Sequence, residues 1–543
     1  MSCNLILLLH AHLPYIRHPE YEYALEENWL FEAIRDTYIP LLDILERMVD
    51  DGISPGLTVS LSPTLMEMLN DDLLRDRFVH HMDNLIELSG AEKQRTKGSV
   101  FESAAFLYDG KFREVRRLYL ERYGKDLISP FRRLQDEGHI EIAATAATHA
   151  FLPAFANYPG AVKRQIEVGI RSYARNLGRR PAGFWLPECG YFEGLDSFLK
   201  DAGIQYCFLE AHGLIHGRPR PRHSIYKPVL SSEGVLLFGR DFKSARQVWC
   251  ASRGYPGDPA YRDFYRDIGF DLPAGYIGRF TGFEGIRTFT GMKYYRVTGK
   301  TEQKLPYDRA AAMSRMSVHA GHFAESRRSD FERLSGYVPE PLIFSAFDAE
   351  LFGHWWFEGI EWLDTVVREI SGSATGAFGL VTPSRYLGSF TGRGADAGGP
   401  PVHPAPSSWG EGGYNSLWIG EKNHYLYRRL HGVMERLEAV IAQLKQGAAP
   451  EGLIRRAMNQ AVRETLLAQA SDWFFLMEKG RAPEYAEKRV TGHIGNVTSI
   501  LVMLEQNRVD ALSLKKMETS NRAFAWLDTA GDYWPLPSDS KSS

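Results

Sequence analysis

The sequence predicts an α/β fold, a βα barrel followed by an all-helical region. Three observations carry this. Roughly seven short apolar runs recur along the first 385 residues, each ending in polar or aromatic residues, with helical periodicity between them. The stretch 388–408 is rich in Gly, Pro, Ala and Ser and reads as a linker. From about Lys422 to Gln506 the apolar spacing is helical throughout.

Leu5 to Leu9 is a continuous apolar run, as expected of a strand buried on both faces of a parallel sheet. It ends in His10-Ala11-His12, and period-2 geometry puts both imidazoles on one side of the chain. A helix follows from Glu26 to about Met48, carrying Trp29, and Leu57 to Leu61 is the second strand. Residues 64–136 are almost wholly helical in pattern, an excursion from the barrel. Gly138 to Thr145 is the third strand, with His149 beyond its tip, and a helix follows from about Gly160 to Leu177. Gly183 to Leu186 runs straight into Pro187-Glu188, where a carboxylate at the end of an apolar strand is costly unless paired or functional. The plain structural alternative is a helix N-terminal acid.

Gln205 to His212 and Gly234 to Asp241 repeat the pattern of apolar strand and polar tip. Residues from about 213 to 304 otherwise read as an irregular lid, carrying Trp249 and Gly254. A helix from Tyr307 to Leu334 leads into the strand Pro341 to Phe344. That strand opens the stretch Phe347-Asp348-Ala349-Glu350-Leu351-Phe352-Gly353-His354-Trp355-Trp356. Aromatic rings beside carboxylates suit a sugar, whose apolar faces stack on rings and whose hydroxyls meet acids. The alternative is a strand end capping a helix, with Trp355 and Trp356 in the core. Leu380 to Pro383 is the last strand. Past the linker come a loop bearing Trp409 and Trp418 and, within the helical region, Ala470-Ser471-Asp472-Trp473. The expected organisation is a catalytic barrel at 1–395 and a C-terminal helical domain at 409–530 that reaches the active-site cleft.

A net charge of −3 gives no electrostatic case for nucleic acid or an anionic membrane. Cys3, Cys189, Cys207 and Cys250 form no CxxC and no zinc spacing, which fits free thiols in a reducing, cytoplasmic setting. The apolar run near the N-terminus is too short for a membrane span. No third His or carboxylate stands at metal-like spacing from the His10–His12 pair, so no metal is expected.

Taken in order, five of these motifs resemble the signatures of glycoside hydrolase family 57, and within it the 1,4-α-glucan branching enzymes. They are His10 to Tyr15, Glu141 to His149, Trp185 to Glu188, Phe347 to Trp356 and Ala470 to Trp473. The resemblance runs nearly end to end. It implies an incomplete (β/α)7 barrel with helical insertions and a C-terminal all-helical domain. It also implies a retaining transfer on α-1,4-glucans that forms α-1,6 branches, with no cofactor and a monomeric enzyme. Glu188 would be the nucleophile and Asp348 the general acid/base, with their carboxyl groups about 5–5.5 Å apart. His10, His12, His149 and His354 would hold sugar hydroxyls. Trp29, Trp249, Trp409 and Trp418 are candidate stacking platforms, and Gly254, Trp409 and Asp472 stand where the family contacts substrate. One departure matters. The loop from about Gly213 to Ser224 is short and lacks the Tyr that branching members carry there, so a mainly hydrolytic α-glucan amylase is the alternative. A glucan-binding protein on a dead barrel would have lost one of the acids, and a deacetylase-like metal enzyme would need a His/Asp triad.

Overall fold

Among the described residues, nine strands form one curled, mostly parallel sheet: β1 (Cys3–Ala11), β2 (Leu57–Leu61), β3 (Ile140–Thr145), β4 (Gly183–Trp185), β5 (Tyr206–Leu209), β6 (Val229–Leu230), β7 (Leu236–Gly239), β8 (Leu342–Asp348) and β9 (Phe378–Leu380). The computed structural model describes residues 3–250, 253–372, 378–390 and 399–529. The strand order is β6-β7-β5-β4-β3-β2-β1-β8, with β9 added beside β1. Every pairing is parallel except β6 with β7. Past β7 the chain comes back to β8: the Asp241 N–H bonds the Phe344 carbonyl at 2.6 Å, and the Ser345 and Ser244 hydroxyls meet at 2.6 Å. Eight parallel strands, β9 standing beside β1 off the main path, thus curl around an interior.

Side-chain alternation along the strands builds two cores. Ile6, Leu8, Ala143, Trp185, Tyr206, Phe208, Phe238, Phe344 and Ala346 pack against one another inside the curl. Leu5, Leu7, Leu9, Val59, Ile142 and Phe347 face outward into the larger core shared with the helices. His10 continues the inner row of β1 and Asp348 that of β8, and the two are register partners across the β1–β8 ladder. The floor of the barrel is closed by Val381 and Tyr386, at the helix Pro383–Phe390. Glu141 accepts the Ser384 N–H at 2.8 Å and the hydroxyls of Ser384 and Tyr206.

The excursion after β2 contains the helices Pro63–Leu69, Asp72–Arg95, Glu102–Arg117 and Ile128–Asp136. Irregular backbone in the stretch after Gly254 must satisfy its polar groups without a ladder. It does so around buried carboxylates. Asp267 accepts from the Gly269, Thr290 and Gly291 N–H groups and from the Thr290 hydroxyl. Glu92 accepts from the hydroxyls of Tyr276 and Tyr294. Two short helices, Ile268–Asp271 and Ala274–Thr281, lie within it.

The C-terminal helices are His424–Leu444, Gly452–Ala468, Ser471–Lys479, Pro483–Glu505 and Ala511–Ser520. They dock at the barrel mouth through a bridge between Ala150 and Ala470 and a 3.2 Å bond from the Ser471 N–H to the His149 carbonyl. Two details differ from the sequence reading. β6 is only two residues long and carries no period for a sequence to show. The last strand ends at Leu380, because Pro383 opens a helix. No described helix is long and apolar enough to cross a membrane.

Candidate active site

The chain leaves β4 through a single 3-10 turn, Pro187–Cys189, and there Glu188 and Cys189 take positive φ angles of 59° and 50°. His149 does the same beyond β3, at 55°. Such backbone costs on the order of 1–3 kcal/mol for a non-glycine residue and persists only where its surroundings hold it. Here the Trp409 N–H bonds the Glu188 carbonyl at 2.8 Å, while the Trp409 indole N–H donates to Glu188 Oε2 at 2.6 Å. The second carboxylate oxygen, Oε1, accepts the Ser471 hydroxyl at 2.9 Å and lies 3.6 Å from His149 Nδ1.

Around this acid lies a cluster of imidazoles. His10 Nε2 meets His149 Nε2 at 2.8 Å, and the His12 ring stacks on His149 at 3.9 Å. His12 is held by Ser62 Oγ at 2.8 Å and by Asp472 Oδ2 at 2.9 Å. Its backbone N–H bonds Glu350 Oε1 at 3.1 Å, and Glu350 also accepts the Tyr38 hydroxyl. Arg240, at the tip of β7, bonds Glu210 at 3.0 Å and the Ala346 carbonyl at 3.1 Å, with its guanidinium 5.4 Å from the Trp409 ring centre.

Burial raises the carboxyls of this cleft. Glu188 is pushed up to about 7, with Asp472 and Asp348 adding to the rise and the Trp409 and Ser471 donors opposing it. Asp348 is pushed up to about 6 against the pull of Arg240 and His12. Glu350 rises to about 7, with the Tyr38 hydroxyl opposing and Asp348 adding to the rise. Burial holds His10 and His149 well below the usual imidazole range. For His12 burial works the same way but is outweighed by Asp472, Glu188 and Glu350, so its value is raised. Glu188 and Asp348 therefore share one electrostatic environment, and their protons leave in coupled steps. Donors separate the two: Glu188 accepts two side-chain hydrogen bonds that favour its charge, and Asp348 has none among the described residues.

The fold thus gathers His10, His12, His149, Glu188, Trp409 and Asp472, with Asp348 beside them. The remaining expected contacts are placed as follows. His10 and His149 are each 2% exposed and bonded to one another beside Glu188. Trp418 is 1% exposed and stacked on Phe151 at 4.8 Å, which leaves no open face for a platform. His354 lies beside Asp36 and Glu32, at 3.5 and 3.7 Å. Trp29 packs edge-on against Tyr485, at 5.9 Å. Gly254 sits in a turn where a Cβ would fall 2.6 Å from the Cys250 N and the Val248 carbonyl, so its need for glycine is steric. Trp249 is 47% exposed after the helix Phe242–Val248. Trp356 is core, as the plain reading of its stretch has it, while Trp355 stacks on Phe264 at 4.0 Å.

Arg240, Glu350 and Ser471 were not singled out from the sequence. Arg240 stands at a strand tip exactly as Glu188 does, and Glu350 follows Asp348 by two residues, so both carried a signal. Ser471 lies within the motif Ala470 to Trp473, beside the expected contact Asp472. No group of three or more His, Cys, Asp or Glu among the described residues is arranged to hold a metal.

Comparison with known proteins adds a family. The glycosyl hydrolase family 57 profile matches residues 6–397, and a profile for the 1,4-alpha-glucan branching enzyme C-terminal region matches residues 429–531. The chain belongs to glycosyl hydrolase family 57. Among family relatives, the 1,4-alpha-glucan branching enzyme of Thermococcus kodakarensis is 31% identical over 91% of this chain and 72% of its own. A probable 1,4-alpha-glucan branching enzyme of Mycobacterium tuberculosis is 30% identical over 95% of both chains. Of solved family 57 structures, the GH57-type branching enzyme of Pyrococcus horikoshii superposes with a TM-score of 0.85 at 30% identity, covering 98% of this chain and 97% of that one. The alpha-amylase AmyC of Thermotoga maritima superposes at 0.89 with 37% identity, covering 99% and 100%.

Proposed function

We propose that this family 57 chain is a 1,4-α-glucan branching enzyme that works with retention of configuration. The observation that carries the reading is Glu188, held at the barrel mouth by the Trp409 indole and the Ser471 hydroxyl, with the Asp348 carboxyl in the same electrostatic environment. In the first half-reaction Glu188 attacks the anomeric carbon of an α-1,4-linked glucosyl unit. Asp348 gives its proton to the departing 4-oxygen, and a glycosyl-enzyme ester remains. In the second, Asp348 takes the proton of an acceptor 6-hydroxyl, whose oxygen displaces Glu188 and forms the α-1,6 bond. Asp472 and Trp409 are the substrate contacts that this cleft best supports, and Trp249 is an outer platform. The branching-type C-terminal match and the named relatives support transfer over hydrolysis. The catalytic unit is 1–395, with 409–530 completing its cleft. Four cysteines outside any disulfide support a cytoplasmic setting.

One feature favours water as the acceptor instead. The short loop after β5 is pinned down by a pair of 2.9 Å backbone bonds between Arg218 and His403, and it carries no Tyr toward the cleft. The AmyC likeness points the same way. Incubation with amylose decides between the two. Proton NMR is expected to show new α-1,6 anomeric signals exceeding new reducing ends, and reducing ends without α-1,6 signal would overturn the transferase reading. Loss of turnover in Glu188→Gln, by about a thousandfold or more, is expected of the nucleophile.

A further inference from the structure

Glu188 ends a line of buried side chains drawn from three parts of the chain. Ser471 donates its hydroxyl proton to Glu188 Oε1. With that proton spent, the hydroxyl can only accept from its other neighbour, so His149 Nδ1, 3.0 Å away, bears a proton. Burial keeps His149 and His10 neutral, and a neutral imidazole has one donor and one acceptor. His149 Nε2 is therefore the acceptor, and the 2.8 Å contact with His10 is donated by His10 Nε2. The line stops at His10 Nδ1, a lone pair that is buried and has no hydrogen-bond partner among the described residues.

We propose that the string from His10 through His149 and Ser471 to Glu188 is a polarised support that holds Glu188 as the carboxylate, with Ser471 as its positioning residue. This rests on the nucleophile reading and deepens it. The reason lies in what the reversed string would need. A proton taken up on Glu188 Oε1 would turn toward Ser471, Ser471 would donate to His149 Nδ1, and His149 Nε2–H would donate to His10 Nε2. Each imidazole keeps one proton but carries it on its other nitrogen. His10 would then bury an Nδ1–H with no acceptor, and an orphaned buried donor is worse tolerated than an unused lone pair. The string therefore resists protonation at Oε1, and the Trp409 indole N–H opposes it at Oε2. Other charges also act on Glu188: Asp472 from the C-terminal helices, Asp348 from the exit of β8 and His12 from β1, while Arg240 at the tip of β7 acts on Asp348 and Glu350 is coupled to Asp348 and His12. They act whichever way the string runs. Because Ser471 opens the helix Ser471–Lys479, the C-terminal helices become part of the nucleophile's support.

Ring-nitrogen NMR of the full chain labelled with 15N-histidine tests the direction. His149 protonated on Nδ1 and His10 on Nε2 at neutral pH are expected, and His10 protonated on Nδ1 would overturn the proposal. Ser471→Ala is expected to move the acid limb of kcat/KM upward by about one pH unit, with a roughly tenfold loss on the acid side, the worth of a hydrogen bond to a charge. Ser471→Thr, which keeps the hydroxyl, should restore the limb. A folded Ser471→Ala enzyme with an unmoved acid limb would sink the string, and if that variant fails to fold, the ring nitrogens of the unaltered enzyme decide alone. Turnover retained in Glu188→Gln would instead remove the nucleophile reading, leaving the ring-nitrogen result to stand by itself.

Discussion

Trp409 holds Glu188 twice, through its indole N–H on the carboxylate at 2.6 Å and through its backbone N–H on the carbonyl at 2.8 Å. The linker-side loop thereby fixes both the side chain and the left-handed backbone of the proposed nucleophile. Trp409→Phe keeps most of the ring and the backbone bond but removes the side-chain donor. About a tenfold to hundredfold fall in kcat/KM on amylose is expected, with little change in Tm. Unchanged kinetics would mean that the indole serves packing alone.

Catalysis needs Glu188 ionised and Asp348 protonated. With the two carboxyls pushed up to about 7 and about 6, the shared-proton state exists over a narrow range. The pH–rate profile is expected to be a narrow bell with its maximum between about 6 and 7. A plateau extending down to pH 4 would contradict it.

The same shifts act on stability. Asp348 has a folded-state value raised above that of the unfolded chain, so its stability contribution is present below about pH 4 and is lost as pH rises through about 6. Asp348→Asn escapes that loss. The variant should be inactive yet more stable than the parent at pH 8, by about 1–3 kcal/mol, with the gain vanishing near pH 4. Tm measured at the two pH values checks this, and an equal gain at both would refute the linkage.

Arg240 partners the buried Glu210 and pulls down the Asp348 carboxyl. Arg240→Met leaves Glu210 uncompensated and should cost about 3–5 kcal/mol in chemical denaturation. The basic limb of the pH profile should also move upward, because Asp348 then holds its proton longer. A destabilised variant with an unmoved basic limb would confine Arg240 to a structural part.

For Gly254, substitution by Ala drives a methyl into the Cys250 and Val248 backbone. A stability loss of about 1–3 kcal/mol is expected. Loss of substrate affinity without loss of stability would restore the contact expected of this position.

The sequence alone determined the class of fold and the end of the barrel where chemistry gathers, and its resemblance to the family singled out the two acids proposed to carry it. An apolar strand that ends in a carboxylate is a local pattern, legible at Trp185 to Glu188 and at Phe344 to Asp348. Only the tertiary structure decided what those acids touch. Ser471 lies 283 positions from Glu188 and Trp409 lies 221, and no local periodicity encodes such meetings. It also showed that His10, His149 and Trp418, expected as sugar contacts, are buried. Burial and hydrogen-bond partners are properties of the packed chain, whereas residue type and spacing, all that a strand tip shows, are the same for a ligand contact and for the side chain that braces it.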